Sequence, residues 1–150
     1  MDTVDILLVE DDPKDARLTI REIQAAPLKT RIEVARDGEE ALDYLFRRGS
    51  HAGRAGNMPT LILLDLKLPK VDGLEVLREI KSDSSTKAIP VVIMTSSKEE
   101  RDLVEGYRLG VNSYIQKPVD FEQFRETIAS VGHYWLSVNQ PPPRKAFSAG

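Results

Sequence analysis

Four short apolar runs in this 150-residue chain each end in side chains able to do oxygen chemistry. Glu10, Asp11 and Asp12 follow the run at 4–9, and Asp65 follows the run at 61–64. Thr95, Ser96 and Ser97 follow the run at 91–94, and Lys117-Pro118 follows 113–116. Hard oxygen ligands at this density suit Mg²⁺, which takes one or two carboxylates together with waters and phosphate oxygens. Three carboxylates (Glu10, Asp11, Asp65) and one ammonium (Lys117) leave a net negative cluster that a divalent cation neutralises. Asp65 can then act as a nucleophile on a phosphoryl group, because carboxylates form acyl phosphates. In phosphoryl transfer the protein mainly positions groups and neutralises charge on the transferred oxygens. Mg²⁺ and Lys117 would each take one such oxygen, and the Thr95 hydroxyl a third. Asp65 comes directly after four aliphatic residues, and a carboxylate at the end of a buried strand needs a partner. Asp12, with Pro13 behind it, reads as a helix cap.

The elements that must carry these groups are legible from periodicity. Runs at 4–9, 31–35, 61–64, 91–94 and 113–116 read as strands, the third and fourth continuous as in strands buried on both faces. Between them lie helical stripes: Ala16, Ile20 and Ile23; Ala41, Leu42, Leu45 and Phe46; Val76, Leu77 and Ile80; and Leu103, Val104 and Tyr107. A last stripe steps through Phe121, Phe124, Ile128, Val131, Trp135 and Val138. Strands alternating with helices predict an α/β fold around a mostly parallel sheet with right-handed crossovers. Such sheets bind ligands outside the carboxyl ends of their strands, where the acids, the hydroxyl and the lysine fall. Residues 49–57 read as a long flexible loop and 139–150 as a mobile, proline-rich tail.

Composition narrows the class. Hydrophobic residues at 41% and charged residues at 30% are the balance of a globular domain. Apolar runs are too short to span a bilayer, and the acidic N-terminus is unlike a secretory signal, so a cytoplasmic protein is expected. Without cysteine there is no thiolate catalysis and no disulfide, and only two histidines are present. A net charge of −3 gives no global attraction to nucleic acid or to an anionic membrane.

Val9-Glu10-Asp11-Asp12-Pro13, residues 63–69 with Asp72-Gly73, Met94-Thr95-Ser96 and Tyr114-Ile115-Gln116-Lys117-Pro118 together resemble the response-regulator receiver (CheY-like) family, from about residue 4 to residue 131. The resemblance implies a five-stranded parallel sheet in the flavodoxin-like order 2-1-3-4-5, flanked by five helices. Residues 1–138 would form the receiver with an extended last helix, and the residues after Lys117 are too few for an output domain. It implies Asp65 as phosphoacceptor, with Mg²⁺ held by Glu10, Asp11, Asp65 and the backbone carbonyl of Lys67. Thr95 resembles the switch hydroxyl, Tyr114 the rotating aromatic and Lys117 the phosphate-binding lysine, with a cis peptide bond before Pro118. Phosphorylation would draw Thr95 inward, let Tyr114 turn, and alter the surface of the fourth helix, fifth strand and fifth helix. Lys67 and Ser97 would flank the attacking water and tune hydrolysis.

The implied partners are a cognate histidine kinase and a downstream protein, with no enzymatic activity beyond the chain's own phosphorylation and dephosphorylation. Residues 41–45, 59–66 and Trp135-Leu136 resemble a narrower group, the single-domain regulators paired with bacterial and cyanobacterial phytochrome histidine kinases. Alternatives are an intermediate carrier in a phosphorelay and an aspartyl-nucleophile Mg²⁺ phosphohydrolase. The latter wants a second acid where Lys67 stands. A nucleotide-binding module would need a glycine-rich loop after the first strand, which the sequence lacks. Val131, Trp135 and Val138 run past the expected end of the sheet, so a homodimer built on them is expected.

Overall fold

The structure is a computed structural model that describes residues 4–25 and 29–143. The part of the expected mobile tail from residue 144 onward lies outside the described residues. Ten main elements alternate along the chain: β1 (Ile6–Val9), α1 (Pro13–Gln24), β2 (Ile32–Ala35), α2 (Gly38–Phe46), β3 (Leu61–Leu64), α3 (Gly73–Ser82), β4 (Val91–Thr95), α4 (Glu100–Leu109), β5 (Ser113–Gln116) and α5 (Phe121–His133). The strands form one parallel sheet in the order β2-β1-β3-β4-β5. β1, β3 and β4 are buried along their whole length, while β2 and β5 are half-exposed edges. This is the order that the resemblance implies.

Alternate strand residues point to opposite faces of the sheet. Leu7, Val9, Ile62, Leu64 and Ile93 meet Leu45, Leu77 and Ile80 of α2 and α3 on one face. Ile6, Leu8, Leu61, Leu63 and Val92 meet Ile23 of α1 and Phe124, Ile128 and Val131 of α5 on the other. Aspartates begin four of the helices: Asp12, Asp37, Asp72 and Asp120 each accept a hydrogen bond from an N–H of the first turn. α3 starts hard against the end of β3, since a Cβ on Gly73 would overlap the carbonyl of Asp65. Among the described residues no helix is long and apolar enough to cross a membrane.

Three expectations are corrected. The loop at 49–57 is tied down rather than loose: the Arg54 guanidinium lies 4.2 Å above the Tyr44 ring and donates through Nε to the Tyr44 carbonyl at 2.8 Å. Arg47 donates to the carbonyls of Arg54 and Gly56, so guanidinium donors satisfy backbone that a loop otherwise leaves to water. On α4, the stripe of Leu103, Val104 and Tyr107 faces solvent and Gly106 is buried. The glycine decides the orientation, because it lets the helix settle on Tyr114, whose Cδ2 would stand 3.3 Å from an added Cβ.

On α5, Phe121 is exposed while Val131 is buried at 7% exposure and belongs to the core. Val131 therefore does not form part of an outward interface. Beyond His133 the chain widens into one π-helical turn, Tyr134–Val138. Trp135 and Leu136 pack there against the α1/α5 core, leaving Val138 57% exposed.

Candidate functional site

The sheet register brings the predicted groups to one edge. Glu10 continues β1, with its N–H on the Ala35 carbonyl at 3.0 Å, and Asp65 continues β3, with its N–H on the Val9 carbonyl at 3.1 Å. Thr95 closes β4 and is fully buried. The Lys117 N–H donates to the Thr95 carbonyl at 2.7 Å, which seats the lysine at the end of β5. From there its Nζ reaches Glu10 Oε1 at 2.6 Å, Asp15 Oδ2 at 2.9 Å and Asp65 Oδ2 at 3.0 Å.

The second carboxylate oxygens of Glu10 and Asp65 are also engaged. Glu10 Oε2 accepts from the Asp12 N–H at 3.2 Å, and Asp65 Oδ1 from the Lys67 N–H at 3.1 Å. The second contact folds the main chain of Lys67 around Asp65, while the Lys67 side chain is exposed. Oxygens of Glu10, Asp11 and Asp65 lie within 4.8 Å of one another, with Asp11 exposed on the solvent side. Three hard oxygen donors so close together fit a divalent cation.

Electrostatics agree with that fit. Burial pushes Glu10 up to about 7, and the charge of Asp65 adds to the rise, while the Lys117 ammonium opposes it. Burial pulls Lys117 down, but its hydrogen bonds to Glu10 and Asp15 and the nearby acid charges outweigh this, so the ammonium is held above its ordinary value. Both shifts have one origin, an enclosed group of carboxylates with a single cation among them.

The groups expected to act as a switch sit behind this cluster. Thr95 Oγ1 accepts from the Ser97 N–H at 3.3 Å. The Ser97 hydroxyl donates to Asp102 Oδ2 on α4 at 2.6 Å, so Ser97 ties strand end to helix start. Tyr114 has a buried hydroxyl beside Ser97 with no well-formed hydrogen bond. The bond before Pro118 is trans, not cis, as X–Pro isomers differ by only about 1 kcal/mol and local packing decides between them.

Sequence reasoning missed Asp15 and Asp102. Asp15 stands three residues after the Asp12 cap, where an acid ordinarily serves the helix end, so its spacing conceals its contact with Lys117.

Similar proteins share this arrangement of strands and helices. The probable methanogenesis regulatory protein FilR2 of Methanothrix harundinacea is 45% identical over 91% of this chain and 86% of its own length. The response regulator Rcp1 of Synechocystis is 38% identical over 87% of this chain and 88% of its own. Its Mn²⁺-bound crystal structure covers 95% of this chain and 100% of its own, with a TM-score of 0.88 and 37% identity. The phosphorylated cyanobacterial phytochrome response regulator RcpA has the same TM-score, 0.88, at 40% identity, and again covers 95% of this chain and 100% of its own. The model of the response regulator receiver domain matches residues 6–129. With that match running from the first strand into the last helix, the chain belongs to the response regulator receiver family.

Proposed function

We propose that this protein accepts a phosphoryl group on Asp65 from a phytochrome-type histidine kinase and signals through its α4-β5-α5 surface. One observation supports the choice of Asp65 above the others. Its carboxylate is buried at the end of β3, 3.0 Å from the Lys117 ammonium and within one cation's reach of Glu10 and Asp11. The cation would be Mg²⁺, held by Glu10, Asp11, Asp65 and the main-chain carbonyl of Lys67. When bound, it neutralises charge on the phosphoryl oxygens.

In the transfer, a carboxylate oxygen of Asp65 forms the new O–P bond as the P–N bond of the donor phosphohistidine breaks, and the imidazole leaves. The Lys67 N–H and the Lys117 ammonium orient the carboxylate beforehand. Lys117 then takes a phosphoryl oxygen, and Thr95 turns its hydroxyl toward another. Departure of Thr95 removes the acceptor of the Ser97 N–H and loosens the contact of Ser97 with α4. Tyr114, beside Ser97 and against Gly106, moves with it. Leu103, Val104 and Tyr107 already stand exposed on α4 as an apolar surface for a downstream protein. The same groups would support the chain's own phosphorylation by small acyl phosphates and the hydrolysis of its acyl phosphate by water.

The phytochrome pairing is supported by the likeness to Rcp1 and RcpA. The cytoplasm, where a kinase meets ATP, is the compartment this reading requires. A homodimer would use the exposed end of the last helix at Tyr134 and Val138, with Trp135 at its edge. Sedimentation at tens of micromolar tests it, and a monomer with and without phosphorylation removes it. The pairing itself is tested by mixing the chain with a radiolabelled, autophosphorylated phytochrome kinase and Mg²⁺. Label should pass to the chain within minutes and stay on the kinase in EDTA; no passage with Mg²⁺ contradicts the pairing.

A further inference from the structure

An ammonium has three N–H donors, and those of Lys117 all end on carboxylates. Glu10 and Asp65 belong to the acid cluster already described. Asp15 does not. It sits in the first turn of α1, where an acid commonly reaches back to the N–H of the capping residue. Here that donor, the Asp12 N–H, is taken by Glu10 Oε2, and the Asp12 carboxylate accepts from Lys14 and Asp15. The helix end is served without Asp15, so its carboxylate is left for a contact 102 residues away in sequence.

Exposure separates the three partners of Lys117. The side chains of Glu10 and Asp65 are 5% and 8% exposed, and that of Lys117 is 10% exposed, whereas Asp15 is 29% exposed. A phosphoryl group arriving on Asp65 brings close to two negative charges and acceptor oxygens. The donor now on Asp65 Oδ2 can pass to one of those oxygens, and for a second such contact Lys117 must surrender its bond to Glu10 or to Asp15. Water can take over the carboxylate of Asp15 but not that of Glu10, so the bond to Asp15 is the one that breaks at least cost.

We propose that Asp15 is a positioning residue that holds Lys117 in the unphosphorylated protein and competes with the phosphoryl group for its ammonium. The proposal rests on phosphoryl acceptance at Asp65 and deepens it: Asp15 sets how strongly the phosphorylated state is favoured. Removing its charge frees one donor of Lys117 and takes away a carboxylate that repels the phosphoryl oxygens.

The test is equilibrium binding of beryllofluoride, a phosphoryl mimic, to the full chain at saturating Mg²⁺, read by calorimetry. Asp15→Asn and Asp15→Ala should each bind about two- to fivefold more tightly than wild type, the scale of a partly exposed ion pair. Asp15→Glu, which restores the charge, should return the affinity toward wild type. A merely structural role would weaken binding together with melting temperature and would not be rescued by charge. Equal or weaker binding by either folded variant overturns the proposal. A wild-type chain that binds no beryllofluoride at all overturns instead the phosphoryl reading beneath it.

Discussion

The Lys117 ammonium stands 3.0 Å from Asp65 Oδ2 although β5 and β3 are not neighbours in the sheet. The lysine crosses the end of β4, anchored there by its own N–H on the Thr95 carbonyl, and so ties three strand ends together. The same ammonium neutralises part of a buried acid cluster, which gives it a structural role.

Lys117→Met should therefore destabilise the metal-free protein by about 3 kcal/mol, the cost of leaving buried charge uncompensated. Mg²⁺ should restore much of that loss, because a second cation meets the same carboxylates. Urea denaturation in EDTA and in millimolar Mg²⁺ measures both. A variant as stable as wild type in EDTA would show that the acids do not depend on the lysine.

Glu10 gives a pH dependence whose sign follows from its rise from an ordinary 4.5 to about 7. Between those values the folded metal-free protein holds a proton on Glu10 that the unfolded chain has released. The contribution of this group to stability thus falls as pH climbs from 4.5 to 7. Glu10→Gln should flatten that slope. Mg²⁺ affinity should rise over the same window, since the carboxylate must shed its proton to ligate. Calorimetric titration with Mg²⁺ at pH 5.5, 6.5 and 7.5 checks the second effect, and equal affinity at all three would contradict it.

The buried hydroxyl of Tyr114 makes no well-formed hydrogen bond. Tyr114→Phe should then leave the melting temperature unchanged or slightly raised, because the variant removes a desolvated polar atom and no bond. A loss of more than about 1 kcal/mol would reveal a partner for the hydroxyl.

Much of this was legible in the sequence, for physical reasons that also mark where legibility ends. Aliphatic runs, continuous for β3 and β4, marked β1, β3 and β4, and the position after each run marked Glu10, Asp65 and Thr95, because a parallel sheet aligns its carboxyl ends. Periodicity marks a stripe but not which way a helix rolls. On α4 the buried line is set by Gly106 against Tyr114, not by Leu103, Val104 and Tyr107. On α5 the inward line runs through Phe124, Ile128 and Val131 and excludes Phe121. Asp15 was hidden because its partner Lys117, 102 residues away, reaches it only once the strand ends have been brought together, and Asp102 because periodicity does not show that the first turn of α4 faces Ser97.

That inward line carries its own expectation. Val131→Ala should cost about 2 kcal/mol as a core truncation, while Val138→Glu on the exposed turn should leave the stability of the monomer nearly unchanged. Thermal melts of the two variants side by side decide it, and the reverse ranking would place Val131 outside the core.

Asp65 alone should receive the phosphoryl group if the proposed function holds. Incubating the protein with Mg²⁺ and acetyl phosphate and measuring its intact mass tests this directly. Wild type should gain one phosphoryl group, and Asp65→Asn, which keeps the shape but loses the nucleophile, should gain none. An Asp65→Asn protein labelled at the wild-type rate would contradict the account.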